Sequence, residues 1–209
     1  MSGLGSVLQV LVSGATVGSV YALVALGLVL LYRTTRILNF AHGDVGVLGT
    51  FLAYVFLTRL DLPFGLSFAL ALAAAAVIGG AIYLLVVRPA RTTSDLGLII
   101  LTLGLALALG GFDALVFGTD NKLLPTLVQD RIVRWAGASF SLASLVTASL
   151  GVVLMLALWA LLSFTKLGVA MRAVAQHADV AEAMGLPVRT VLMATWAAAA
   201  VLATAAALL

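Results

Sequence analysis

TKLGVAMRAVAQHADVAEAMGLPVR, running from Thr165 to Arg189, is the one structured polar interruption in a long apolar chain. Runs of membrane length lie on either side, so the segment is a handle between spans and not a span itself. Its second half, Asp179 to Pro187, predicts a short helix capped at both ends. Asp179 can accept from the free backbone N–H groups of a helix start, and Glu182, three residues on, can reach back as a capping-box partner. Both acids suit the positive end of the helix dipole. Gly185 can turn left-handed to close the helix, with Leu186 as the usual apolar contact and Pro187 preventing continuation. The expected helix, from about Val180 to Met184, is barely more than one turn and unstable alone. Double capping makes sense if it must hold a fixed shape at a membrane surface, where something presses on it.

The first half, from about Gly168 to Gln176, predicts an amphipathic extension or turn from the preceding span. Leu167, Met171, Val174, Ala178, Ala181 and Met184 recur at helical spacing, while Arg172, Gln176 and Asp179 fall on another face. The apolar face is mostly alanine and valine and has no aromatic ring to insert into headgroups. It therefore suits a protein partner or the chain's own helices better than lipid.

Composition fixes the surroundings. Of 209 residues, 64% are hydrophobic and 9% charged, where a soluble domain carries roughly 25% charge. The mean hydropathy of +1.24 comes from apolar runs spread over almost the whole length, each near the roughly 20 residues that cross a bilayer. The runs predict six helical spans at about Val7–Tyr32, Phe40–Thr58, Leu62–Val87, Leu96–Phe117, Leu142–Phe164 and Val191–Leu209. They are uniformly apolar and rich in Leu and Ala, which excludes a barrel of short alternating strands. The expected fold is an all-α, polytopic transmembrane bundle, read as one membrane domain over residues 1–209. Arg33 is the first charged residue, so the N-terminus lacks the basic region and cleavage pattern of a signal peptide, and the first run is expected to remain. Arg33, Arg36, Arg88, Arg91, Lys166, Arg172 and Arg189 fall on one side. Arg59, Lys122, Arg131 and Arg134 fall on the other, with Asp61, Asp113, Asp120 and Asp130. The basic side predicts the cytoplasm, which places the N-terminus outside and Thr165–Arg189 inside. In the long outer connection, Gly118–Ser141, Trp135 beside Arg131 and Arg134 reads as an interfacial anchor or as a docking site for an external partner. Span six ends at Ala207-Leu208-Leu209 with no charged or aromatic flank, so either the protein stops at the bilayer edge or the chain is a piece of a longer one.

Chemistry is sparse. There is no cysteine, and no Gly-x-x-x-x-Gly-Lys-Ser/Thr run to cradle nucleotide phosphates, so any ATP is handled by another subunit. His42 and His177 stand in different loops without a carboxylate pair or second histidine at ligand spacing, and neither a metal site nor a catalytic constellation is expected. A net charge of +3, dispersed between apolar runs, does not suit nucleic acid. Gly14-x-x-x-Gly18, and Gly43, Gly46 and Gly49 at three-residue intervals, predict faces where another helix packs closely, although a transport path also needs faces without bulky side chains.

The junction Arg33-Thr-Thr-Arg36-Ile-Leu-Asn39-Phe-Ala-His42-Gly-Asp44 joins spans one and two. Span two is short, so His42 and Asp44 are expected within its first turns, at or below the headgroups. Asp44 either pairs with Arg33 or Arg36 at a helix start, or joins Asn39 and His42 in a polar gate on the translocation path.

Those twelve residues, together with Gly168-Val-Ala-Met-Arg-Ala-Val-Ala-Gln176, Met184-Gly-Leu-Pro-Val-Arg189 and Gly18-Ser-Val-Tyr21, closely resemble the permease subunits of branched-chain amino-acid ABC importers. The resemblance runs over essentially the whole chain. It implies a multi-pass protein of a prokaryotic plasma membrane, paired with a second permease, two cytoplasmic ATPases that bind the ATP, and an extracytoplasmic solute-binding protein that delivers leucine, isoleucine or valine. It implies no cofactor in this chain and no enzymatic activity. It also makes the Thr165–Arg189 segment the element that docks into the ATPase, with Asp179, Glu182 and Gly185 setting its shape and Arg172 and Gln176 as adjacent contacts. The wider importer motif Glu-Ala-Ala-x-x-x-Gly is met only loosely: Asp179, Ala181 and Gly185 keep the acid, one alanine and the glycine, but two named positions differ. Family permeases continue well past this length with further spans, so the resemblance implies that the C-terminal part of the path is missing from residues 1–209. Related permeases for urea, short amides or other amino acids resemble the chain equally well. An ATP-independent secondary transporter or channel is the alternative of another class. It would be expected to carry ionisable residues at mid-span, where only Asp113 comes close.

Overall fold

A computed structural model describes residues 3–90, 94–118, 132–135 and 138–209. The chain forms α1 (Gly3–Thr35), α2 (His42–Thr58), α3 (Phe64–Ile82, drawn out into a wider π turn over Tyr83–Val87), α4 (Asp95–Phe117), the strands β1 (Ile132–Trp135) and β2 (Ala138–Ser141), α5 (Leu142–Phe164), α6 (Lys166–Gln176), α7 (Ala178–Ala183) and α8 (Val188–Leu208). Among the described residues, five stretches are long and apolar enough to cross a membrane: Val7–Thr35, Phe64–Val87, Leu96–Phe117, Leu142–Phe164 and Val188–Leu208. The sixth expected span, α2, is a shorter apolar helix of 17 residues. The expected helical bundle is therefore present, with one small addition. In the long connection before α5, β1 and β2 pair antiparallel, Ile132 with Ser141 and Trp135 with Ala138. Ile132 and Val133 are β-branched and favour extended backbone outside the apolar runs. Arg91, Asp120, Lys122, Asp130 and Arg131 lie outside the described residues, and so does the side chain of Trp135.

The core is built on α8, which packs on α1, α2 and α3. Its sequence explains why. Ala199, Ala200, Ala203, Ala205 and Ala206 are buried together with Thr195 and Thr204, and small side chains let neighbouring backbones approach closely. The partners answer with glycine. A Cβ on Gly46 of α2 would stand 2.7 Å from the Ala203 carbonyl oxygen, and one on Gly79 of α3 would stand 2.5 Å from that of Trp196. A Cβ on Gly49 would collide with the Thr204 side chain. Trp196 itself is the largest fully buried side chain.

The glycine expectation divides accordingly. Gly46 and Gly49 are packing residues, whereas Gly14, Gly18 and Gly43 meet nothing within 4 Å and lie on exposed faces. Spacing finds the stripe but does not reveal which face the chain's own helices use. Gly27 and Gly151, isolated in apolar runs without a repeat to mark them, and Gly168, in the polar connection, turn out to be close contacts against His42, Ser19 and the Leu161 and Leu162 carbonyls.

Candidate functional site: a capped surface helix and an intramembrane helix start

The α5–α8 connection is compact. Thr165 ends α5 in extended conformation and caps α6, its Oγ1 accepting from the Gly168 N–H at 3.1 Å while donating to Leu161 O at 2.5 Å. Gly168 allows the sharp turn, since a side chain there would run into the last carbonyls of α5. Met171 and Val174 bury the apolar face of α6 in the core, so that face belongs to the chain's own helices. His177, at φ −148° and ψ 97°, breaks the helix and begins α7.

α7 departs from the expected helix at its start and agrees with it at its end. Its N-cap is His177, without a side-chain cap bond, so Asp179 sits in the first turn and no capping box forms with Glu182. Asp179 still faces the positive end of the dipole. At the other end Gly185 is left-handed at φ +84°. Its N–H donates to Glu182 O at 2.9 Å and the Leu186 N–H donates to Ala181 O at 3.0 Å, the two bonds of a Schellman closure. Ala181 is buried, while Asp179, Glu182 and Gly185 are exposed, as are Val180 at 56% and Met184 at 80%. Met184 thus leaves the apolar stripe, because the break at His177 ends the α6 periodicity.

Arg172 and Gln176 are placed differently from the other three docking candidates. Arg172 donates to the Leu162 carbonyl at the end of α5, a favourable place for a cation. Together with Arg33 and Arg36 of the α1 terminus, Arg172 and Gln176 line a cavity of about 580 Å³ between α1, α5 and α6.

The second candidate region is the start of α2. α1 ends where Arg36 turns left-handed at φ +59°, a conformation that costs about 1–2 kcal/mol in a residue with a side chain. The chain then runs back into the bundle. Asn39, buried, accepts from the Ala41 N–H at 3.1 Å through Oδ1, an Asx turn that sets the new helix going. The Thr102 hydroxyl of α4 donates to Leu38 O at 3.1 Å. His42, the first residue of α2, lies against Gly27 of α1, eight residues before α1 ends, or about 12 Å along its axis. Asp44 faces Gly110 of α4, and Phe51 stacks on Phe117 with ring centroids 4.5 Å apart. α2 is therefore a short helix that begins inside the bundle, deeper than its length suggests.

Asn39, His42 and Asp44 do not converge on one face. Asn39 is committed to the turn, His42 lies against Gly27 of α1, and Asp44 approaches Gly110 of α4. Asp113 stands one turn beyond Gly110 on α4, the residue that the Asp44 carboxylate approaches. Asp113 is 5% exposed and neither carboxylate oxygen has a hydrogen-bond partner; the same holds for His42 Nε2. Ionisable residues within a span are rare and mark functional candidates. In sequence Asp113 stands near the end of span four and gives no sign that α2 starts beside it. No group of three or more His, Cys, Asp or Glu side chains able to hold a metal occurs among the described residues.

The sequence model of a family described as the permease component of branched-chain amino acid transport systems matches residues 10–209. The high-affinity branched-chain amino acid transport system permease LivH of Escherichia coli (strain K12) is 29% identical over 97% of this chain and 70% of its own length. BraD, the permease of the same description from Pseudomonas aeruginosa, gives the same identity and shares. The probable branched-chain amino acid transport permease LivH of Methanocaldococcus jannaschii is 33% identical over 90% of this chain and 61% of its own. No solved structure gives a significant match.

Proposed function

The chain belongs to the family of permease components of branched-chain amino acid transport systems, and on that footing we propose that it is the membrane-spanning subunit of an ATP-driven importer of leucine, isoleucine or valine. It works with a second permease, two ATPase subunits and an extracytoplasmic binding protein, in the plasma membrane of a prokaryote. The observation that carries this reading is α7: a short helix closed rigidly at Gly185, exposed on its outer side and tied directly to α6 and α8. Such a helix transmits displacement better than a loop does. In this reading its end of the bundle, which holds Arg33, Arg36, Arg88, Lys166, Arg172 and Arg189, faces the cytoplasm, and the N-terminus lies outside.

Closure of the ATPase pair pushes α7, and the push passes through α6 to α5 and through Val188 to α8. Because α8 packs on α1, α2 and α3, a tilt of α8 moves the helix start at His42. Hydrolysis takes place on the partner subunits, and this chain contributes no catalytic group. The intramembrane acids Asp44 and Asp113 favour a second reading, an ion-driven carrier. Liposomes holding the permease pair, the ATPases and the binding protein separate the two. Leucine uptake that needs internal ATP and the loaded binding protein is expected; uptake driven by an ion gradient without ATP would replace the proposal with the carrier reading.

A further inference from the structure

We propose that the start of α2 and the Asp44–Asp113 pair form an intramembrane site for the zwitterionic head of the transported amino acid. The substrate's ammonium lies between the two carboxylates, and its carboxylate lies at the open first turn of α2. The substrate class rests on the reading above; the site rests on the geometry.

Four observations meet at one place. α2 starts inside the bundle without a side-chain cap; the His42 and Val45 N–H groups donate to Asn39 O and Ala41 O, which leaves the positive end of the dipole and the Gly43 and Asp44 N–H groups available to an anion. Gly43, in that turn, has nothing within 4 Å of where a Cβ would be and lies on an exposed face, which leaves the backbone approachable. Asp113 is nine-tenths buried with both oxygens unpartnered, and it stands on the α4 face that Gly110 opens toward Asp44. Asp44, another carboxylate, approaches α4 one turn away at Gly110. Two acids and a helix start bring opposite signs to one place in the bundle. An α-amino acid has opposite charges at the same short separation, whereas a metal ion or proton uses only the acids. Unpaired charge inside a membrane protein is tolerated where it lines a path, and discontinuous helices put their ends to this use in transporters.

The test is equilibrium binding of radiolabelled leucine to the complete transporter in nanodiscs, without nucleotide or binding protein, in competition with 4-methylpentanoate, which lacks the ammonium, and with isopentylamine, which lacks the carboxylate. Leucine is expected to bind and both analogues to compete poorly. Asp113→Asn, nearly the same shape, and Gly43→Val, entering open space, are each expected to weaken leucine by about ten-fold or more, with assembly and melting temperature kept. Equal leucine binding by wild type and both variants, or none by the wild type, overturns the site. Wild-type binding lost in the variants, alongside uptake that ignores ATP, keeps the site and removes the importer reading.

Discussion

Replacing Gly185 by valine attacks the one backbone position on which the closure of α7 depends. At φ +84° a residue with a Cβ pays about 1–2 kcal/mol, with a β-branched one at the upper end. If the chain instead relaxes out of that conformation, it gives up the Gly185–Glu182 and Leu186–Ala181 hydrogen bonds, each contributing about 0.5–1.5 kcal/mol. Either route destabilises the local helix by about 1–3 kcal/mol, which raises its open population roughly 5- to 150-fold. The effect stays local, because Ala181 is the buried residue of α7 and α8 is held by its own packing. Amide hydrogen exchange over residues 179–186 is expected to speed up by that factor, while melting temperature and membrane insertion stay at wild type. In liposomes ATP hydrolysis continues and uptake per ATP falls. Gly185→Asn, which tolerates the left-handed region better, lies between. Wild-type exchange together with wild-type uptake in the valine variant would refute the reasoning.

Four further substitutions and a topology assay draw on the same geometry. Gly46→Leu, forced onto the Ala203 carbonyl, should lower stability by about 1–3 kcal/mol through overpacking, read as thermal unfolding in detergent. Gly14→Ala and Gly18→Ala, entering open space within a helix, should leave the melting temperature of the detergent-purified chain unchanged or raise it, at about 0.5–1 kcal/mol each. Thr165→Ala removes the α6 cap at about 1 kcal/mol, so exchange should rise over residues 166–169 and not in α5. For orientation, a reporter active only in the cytoplasm should work when fused after Gln176 and fail when fused after Asn121; the reverse pattern inverts the topology.

The spans were legible because burial in lipid needs only length and apolarity, both written residue by residue. Leu142–Phe164 and Leu96–Phe117 agree at both ends with the expectation. Depth was not legible. Hydropathy gives the length of α2 but does not show that Arg36 reverses the chain and that an Asx turn at Asn39 starts the helix inside the bundle. For the same reason Asp44 and Asp113, 69 positions apart, could not be seen as neighbours. The end of α7 could be read because Gly-Leu-Pro allows few alternatives. Its start could not, because the break is made by the extended backbone of His177, a residue with no distinctive capping preference. Spacing likewise does not show that the turn at Gly168 brings Arg172 to a carbonyl of α5.

The central claim is that α7 receives the work of the ATPase. A photo-crosslinking side chain placed at Val180 or Met184, both outward-facing, tests it in the purified, complete transporter, with Leu107 and Leu115 of α4 as exposed positions within a span. The account predicts adducts with the ATPase subunit from residues 180 and 184, changing in yield when ATP is bound, and none from 107 or 115. Adducts absent from α7, or equal from α4, would contradict it.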